Sequence, residues 1–272
     1  MRDAIDAHAH VFLRDLPMAA GRRYTPAADA PLDLYLRELD ANGIAFGVLA
    51  QPSFLGFDNA YLLACLEAAG GRLRGVAALD STTPGETFDR LDAAGIVGAR
   101  LNLIGDDDSP DFAAPDWRAF LGHIQRKGWH IQLHQRARLA RAPAQALIEA
   151  GATLVLDHFA LPDPTLGPND PDWRALLDLG ATGRLWVKLS ASYRCGPNGR
   201  DVARACYRVL RDRLGPDRLM WGSDWPHTRF ETRQDYAGAC AVFRDIAPEA
   251  AERLALLAAP ARLFRFPQGG RP

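Results

Sequence analysis

Short apolar runs recur along the chain. Each is followed by a polar loop and then by a stretch whose apolar positions repeat with helical spacing. The runs predict strands over 4–7, 46–51, 73–79, 97–103, 129–134, 153–157, 185–190 and 219–223. The stretches between them predict helices over 32–42, 60–69, 87–94, 117–127, 142–150, 173–179 and 202–214. Gly43, Gly95, Gly128, Gly151 and Gly215 fall just after such helices, where a left-handed cap favours glycine.

Strand alternating with helix means a parallel sheet with right-handed crossovers. Eight strands in 272 residues fit a closed (β/α)8 barrel, the TIM-barrel architecture. The rival is an open doubly wound sheet. It would carry a glycine-rich turn after the first strand, and there this chain has His8-Ala9-His10. With no repeat, linker or low-complexity tract, one domain is expected over 1–266, followed by a disordered tail over 267–272.

Composition narrows the function classes. A net charge of −1 argues against a nucleic-acid partner, which would call for a basic face. Arginine dominates the cations, with Lys127 and Lys188 the only lysines. Four cysteines stand far apart with no CxxC pair, so neither a disulfide scaffold nor a cysteine metal knuckle is expected. No run is long enough to span a membrane, and Arg2 and Asp3 open no signal-peptide pattern. The expectation is a cytoplasmic protein with no membrane partner.

In a parallel barrel, sites are built at the C-terminal ends of the strands. After strand one stand His8 and His10, and after strand two Gln51-Pro52-Ser53. Strand four offers Arg100 and Asn102, strand five His134, and strand six Asp157 and His158. Strand seven leads to Lys188, Ser190, Tyr193 and Arg194, and strand eight to Asp224 and His227. Five of the seven histidines thus fall on one rim, while His123 and His130 are expected to be structural. Residues two apart on a strand share a face about 6.5 Å apart. His8 and His10 can therefore both face the axis, with Asp224 beside them where strand eight closes on strand one.

The ordered set "DAHAH", "DHFALPD" and "WGSDWPH", together with "RYTP" at 23–26, resembles the amidohydrolase superfamily. Within it, the set is similar to the branch typified by 2-pyrone-4,6-dicarboxylate lactonase, along nearly the whole chain. The resemblance implies a carboxylic ester hydrolase acting on a small-molecule lactone. His8, His10, His158 and Asp224 match its catalytic four, the aspartate taking a proton from water while the histidines polarise the carbonyl. Ser53, Arg100 and Arg194 match positions that hold substrate carboxylates; Gln51 joins them as a candidate. Arg100 could instead pair with an acid at the rim. Tyr24 and Arg23 either close over the site or form a plain surface turn.

Two departures bear on the substrate. The branch has further arginines where this chain reads "IGDDD" (Asp106, Asp107 and Asp108) and where it has Leu161. If these face the mouth they disfavour a dicarboxylate, so a lactone with one carboxylate or a neutral sugar lactone is expected. On the metal the resemblance leaves two alternatives. The lactonase branch requires none, whereas metal-dependent members use a set matched here by His8, His10, His134 and Asp224, which suits one divalent ion such as Zn2+. A zinc-dependent decarboxylase or amide hydrolase on the same scaffold, and a non-catalytic binding barrel, are the competing readings. Oligomeric state is left open.

Overall fold

A computed structural model describes residues 3–267. The expectation for the tail falls, beyond Pro267, outside the described residues. Eight parallel strands pair in the order β1 to β8: Ile5–Ala9, Phe46–Ala50, Leu73–Ala78, Ile96–Asn102, His130–His134, Thr153–Leu156, Leu185–Leu189 and Leu219–Trp221. Seven helices follow β1 to β7 in turn: α1 Leu32–Ala41, α2 Ala60–Ala68, α3 Gly85–Ala93, α4 Pro115–Arg126, α5 Ala137–Glu149, α6 Pro171–Leu177 and α7 Gly199–Leu214. Two more, α8 Tyr236–Ile246 and α9 Ala250–Ala258, complete the outer ring. This is a (β/α)8 barrel.

The strands are buried on both faces, the pattern of a parallel sheet covered by helices. One apolar layer lies between strands and helices. A second lies inside the barrel, where Ile5, Val48, Val76, Val97 and Met220 pack with Phe264 and Phe266 of the C-terminal segment, which plug the lower end. His130 belongs to this lower interior. It stands against Phe264, and a Cβ on Gly98 would collide with its ring. His123 lies on α4, stacked on Phe88. Neither histidine reaches the rim.

Two details of the closure position the site. Between Asp6 and Ala9 the register against β2 slips by one residue, a β-bulge. Asp6 turns outward to Ser223 and Tyr236, whereas His8, two residues on, turns to the axis. The seam between β8 and β1 is closed by an irregular parallel bridge between Ala9 and Trp225. His10 N donates to Trp225 O at 2.7 Å and Asp224 N donates to His8 O at 2.8 Å. Glycine is required at 222, because a Cβ there would stand 2.7 Å from His8 Cβ and 2.9 Å from His8 N.

All five predicted cap glycines adopt positive φ. The helix expected over 142–150 begins earlier, at Ala137, and carries Pro143 in its interior. Proline there forfeits one backbone hydrogen bond, but its ring is buried among the apolar residues of that face. The four cysteines are free, with Cys65, Cys195 and Cys206 buried.

Candidate active site

Asp224 stands where the β8 loop leaves the seam, fully buried and with positive φ. Its two oxygens have different surroundings. Oδ2 accepts from Tyr193 Oη at 2.5 Å and from Arg194 Nε and Nη2 at 3.1 and 3.0 Å. Oδ1 makes no full hydrogen bond among the described residues, and faces His8, His10 and His158 Nε2 at 3.3, 3.6 and 3.9 Å. One oxygen is thus saturated and the other is free to meet a ligand. Burial opposes the charge on Asp224, but its neighbours, Arg194 foremost, outweigh it and hold the carboxyl well below its usual range.

The imidazoles are fixed from behind. His10 Nδ1 lies 2.7 Å from the Ala50 carbonyl, which can only accept, so that nitrogen carries the hydrogen and Nε2 presents a lone pair. Burial pulls the His10 pKa down to about 4 and holds His158 and His134 well below 6.5, so these rings are neutral near pH 7. His158 Nδ1 pairs with Ser190 Oγ at 2.9 Å, leaving Nε2 directed at Asp224.

Beneath these rings lies a buried polar floor. Lys188 Nζ, on β7, donates to Gln132 Oε1 at 2.7 Å and to His8 Nδ1 at 3.0 Å, with Asp157 Oδ1 at 3.7 Å. Burial lowers the lysine to about 8, against the pull of Asp157. Asp157 is held well below its usual range: burial opposes the charge, and nearby cationic charge, Lys188 included, outweighs that. Gln132 Nε2 donates to Asp157 Oδ2 at 3.0 Å, and Arg100 Nη2 approaches the same oxygen at 3.5 Å. Gln132 on β5 was missed by the sequence reading. Its inward alternation on that strand was the available signal, but amides inside a predicted strand carry no chemical signature.

Above the floor opens a small cavity lined by His10, His134, His158, Asp224, Arg100 and Arg194, with Ser53, Arg23, Tyr24 and Arg229 toward the mouth. Arg229 is a further cation that the sequence reading missed. Tyr24 hydrogen-bonds Glu231 and Arg23 Nη2 donates to Asn102 at 3.0 Å, so the β1 loop is tied to the β8 and β4 loops across the opening. Other candidates lie elsewhere. His8 is buried behind His10 and Asp224, outside the cavity lining. The Gln51 side chain turns away to Asp58 O, and its own carbonyl accepts from Arg100 Nη1 at 2.7 Å. Arg100 therefore holds the rim through Gln51 O and Asp157 while still facing the cavity. The acidic run Asp106–Asp108 is exposed outside the lining. Leu161 borders a different hollow, beside Arg136. Neither feature lines the cavity, although Asp106 acts on Arg23 at its mouth, so the acidic run bears on the entrance and not on the cavity wall.

The donor set fits a metal only in part. His8 Nε2 and His10 Nε2 are 3.2 Å apart, and with Asp224 Oδ1 they form a triangle with edges of 3.2, 3.3 and 3.6 Å. Tetrahedral zinc with bonds near 2.0 Å separates its ligands by about 3.3 Å, so three corners fit. His134 does not join them. It stands edge-on to His158, with ring centroids 5.0 Å apart, and belongs to neither cluster of candidate ligand atoms among the described residues. Those clusters are His8, His10 and Asp224, and His8, Asp157 and His158. The expected four-residue set is reduced to three.

A parallel barrel with an HxH pair at the end of β1, a histidine after β6 and an aspartate after β8 has the layout expected of an amidohydrolase. The chain belongs to the amidohydrolase family, whose model matches residues 5–266. It is 30% identical to a 2-pyrone-4,6-dicarboxylate hydrolase of Comamonas testosteroni, over 96% of this chain and 90% of that one. It is 29% identical to a 4-sulfomuconolactone hydrolase of Hydrogenophaga intermedia, over 95% and 88%. Among solved structures, a Pseudomonas putida protein provisionally assigned as a 2-pyrone-4,6-dicarboxylic acid hydrolase superposes with a TM-score of 0.91 at 42% identity, covering 98% of both chains.

Proposed function

We propose that this protein hydrolyses a small lactone carrying a carboxylate. The observation that carries this reading is the asymmetry of Asp224, with Oδ2 held by Tyr193 and Arg194 and Oδ1 free against three imidazoles, two of them at the cavity wall. Relatives named as lactone hydrolases support it. Water between Asp224 Oδ1 and the His10 Nε2 lone pair would give a proton to the aspartate as its oxygen attacks the carbonyl carbon. The ring C–O bond then breaks, the proton passes to the leaving oxygen, and a hydroxy acid results. A carboxylate held so low is a weak base in the ground state. Proton transfer becomes favourable as the water oxygen loses charge to the carbonyl, which is where general-base catalysis acts.

His158 Nε2 and the Arg194 cation would face the growing charge on the carbonyl oxygen, and His8 would support His10 and Asp224 from behind. Arg100, with Ser53, Arg23 and Arg229 nearer the mouth, would receive the substrate carboxylate, a task suited to the guanidinium fork. The triangle of His8, His10 and Asp224 favours one alternative, a metal-assisted hydrolase. Zinc held by those three residues would supply Lewis acidity at the carbonyl. A lactone panel followed by proton release, with and without chelator, tests both. Hydrolysis that persists in chelator supports the metal-free reading, loss in chelator with recovery on zinc supports the alternative, and no turnover of any lactone overturns both.

A further inference from the structure

Among the described residues Lys188 Nζ has two hydrogen-bond partners, Gln132 Oε1 and His8 Nδ1, and an ammonium has hydrogens to donate and no lone pair. On the other side of the ring, His8 Nε2 faces His10 Nε2 at 3.2 Å and Asp224 Oδ1 at 3.3 Å. The first is a lone pair, because His10 Nδ1 gives its hydrogen to Ala50 O, and the second is a carboxylate oxygen. Both neighbours accept, so His8 Nε2 must carry a hydrogen. Its Nδ1 then offers a lone pair to the lysine. A hydrogen on Nδ1 would set two donors against each other at 3.0 Å.

We propose that Lys188 is a positioning residue that fixes His8 as the Nε2–H tautomer and thereby disfavours zinc at the triangle formed by His8, His10 and Asp224. Zinc would need the Nε2 lone pair, which moves the ring hydrogen to Nδ1 against the ammonium. Metal-bound histidines instead donate that second hydrogen to a carboxylate, carbonyl or water. Asp157 Oδ1 already waits 3.4 Å from His8 Nδ1 and lacks a full hydrogen bond among the described residues. Only the lysine stands between this floor and a carboxylate–histidine–metal arrangement. The two other contacts of Asp157, Gln132 and Arg100, remain when the lysine is replaced.

The inference rests on the metal-free reading of the proposed function, but its readouts need no lactone. In metal-stripped protein, 15N–1H correlation of the His8 ring, assigned by comparison with His8→Gln, should show the hydrogen on Nε2. Zinc affinity, measured by competition with a chromophoric chelator, should tighten at least tenfold in Lys188→Met, in line with the weight of such outer contacts. Lys188→Gln serves if the methionine variant does not fold, as judged by circular dichroism, and the wild-type tautomer stands on its own if neither does. A hydrogen on Nδ1 in the wild type, or zinc binding by the folded variant no tighter than wild type, overturns the assignment. Because neither readout involves turnover, a protein inactive on every lactone would sink the proposed function while leaving this result readable.

Discussion

At the scale of single residues, Asp224 is the group on which the chemistry turns. Asn at this position keeps the shape and can still accept from Arg194, but cannot take a proton from water. Asp224→Asn should therefore lower kcat by roughly 10² to 10⁴ with an unchanged fold. Retention of more than about a tenth of wild-type turnover would remove Asp224 as the base. The buried histidines predict an acid limit to stability. His10 and His130 sit at about 4 and about 3 in the folded protein, below the value near 6.5 expected when unfolded. Their folded pKa values are depressed, so the stability they lend is complete above pH 6.5. It drains as pH falls toward 4 and 3, where the unfolded chain binds protons that the folded chain refuses. For His10 the full effect is about 3 kcal/mol. Urea midpoints should fall between pH 7 and 4.5 at constant m, and a flat profile down to pH 5 would contradict the burial-driven shifts. Residue types on the rim were legible in the sequence because their chemistry is conspicuous. Which way they turn was not. His8 and Gln51 were expected to meet substrate, yet a bulge places one behind the wall and a hydrogen bond to Asp58 O turns the other away.

At the scale of elements, the strands were legible to within two residues because a short apolar run between polar loops fits little besides a buried strand. Helices α8 and α9 escaped. After the "WGSDWPH" loop no further strand remained to alternate with, although Asp235 ahead of Tyr236 is an N-cap signal and does accept from Gly238 N. That β8 closes on β1 was expected of a barrel, but how the seam closes was hidden, since it depends on backbone approach and not on side-chain pattern. Asp6 clamps it, accepting from Ser223 N at 2.8 Å, Ser223 Oγ at 2.6 Å and Tyr236 Oη at 3.1 Å. Gly222 permits the approach itself. In Gly222→Ala the new methyl meets the backbone of His8, which cannot swing aside as a flexible side chain would. The variant should lose about 1–3 kcal/mol of stability. Because His8 and the Asp224 amide share that seam, kcat should fall as well, even at temperatures where the variant is fully folded. A stable variant with wild-type kcat would mean that the two strands can separate at the seam without disturbing the site.

At the scale of the molecule, a chain with a net charge of −1 gathers four arginines around one opening. Arg100 and Arg194 are engaged with Asp157 and Asp224, so deep in the site positive and negative charge nearly balance. Arg23 and Arg229 sit toward solvent, close enough that the charge of Arg229 helps lower the pKa of Arg23, behind burial and against Asp106. Two like charges brought together at a mouth repel each other until an anion arrives, so they favour a substrate that enters carboxylate first. Exposed charges are screened over about 30 Å at 0.01 M salt but over only about 10 Å at 0.1 M. Their attraction should consequently depend on ionic strength, while the buried pairs below them should not respond. For a carboxylated lactone, kcat/KM should fall severalfold as salt rises from about 0.01 to 0.3 M. The change should lie in KM, because the reacting atoms are shielded from solvent. A neutral lactone of the same ring size should show no such slope, and Arg229→Ala should flatten the slope for the carboxylated one. Equal salt dependence for both lactones, or a slope untouched by the substitution, would show that the rim arginines hold loops in place and do not draw substrate in.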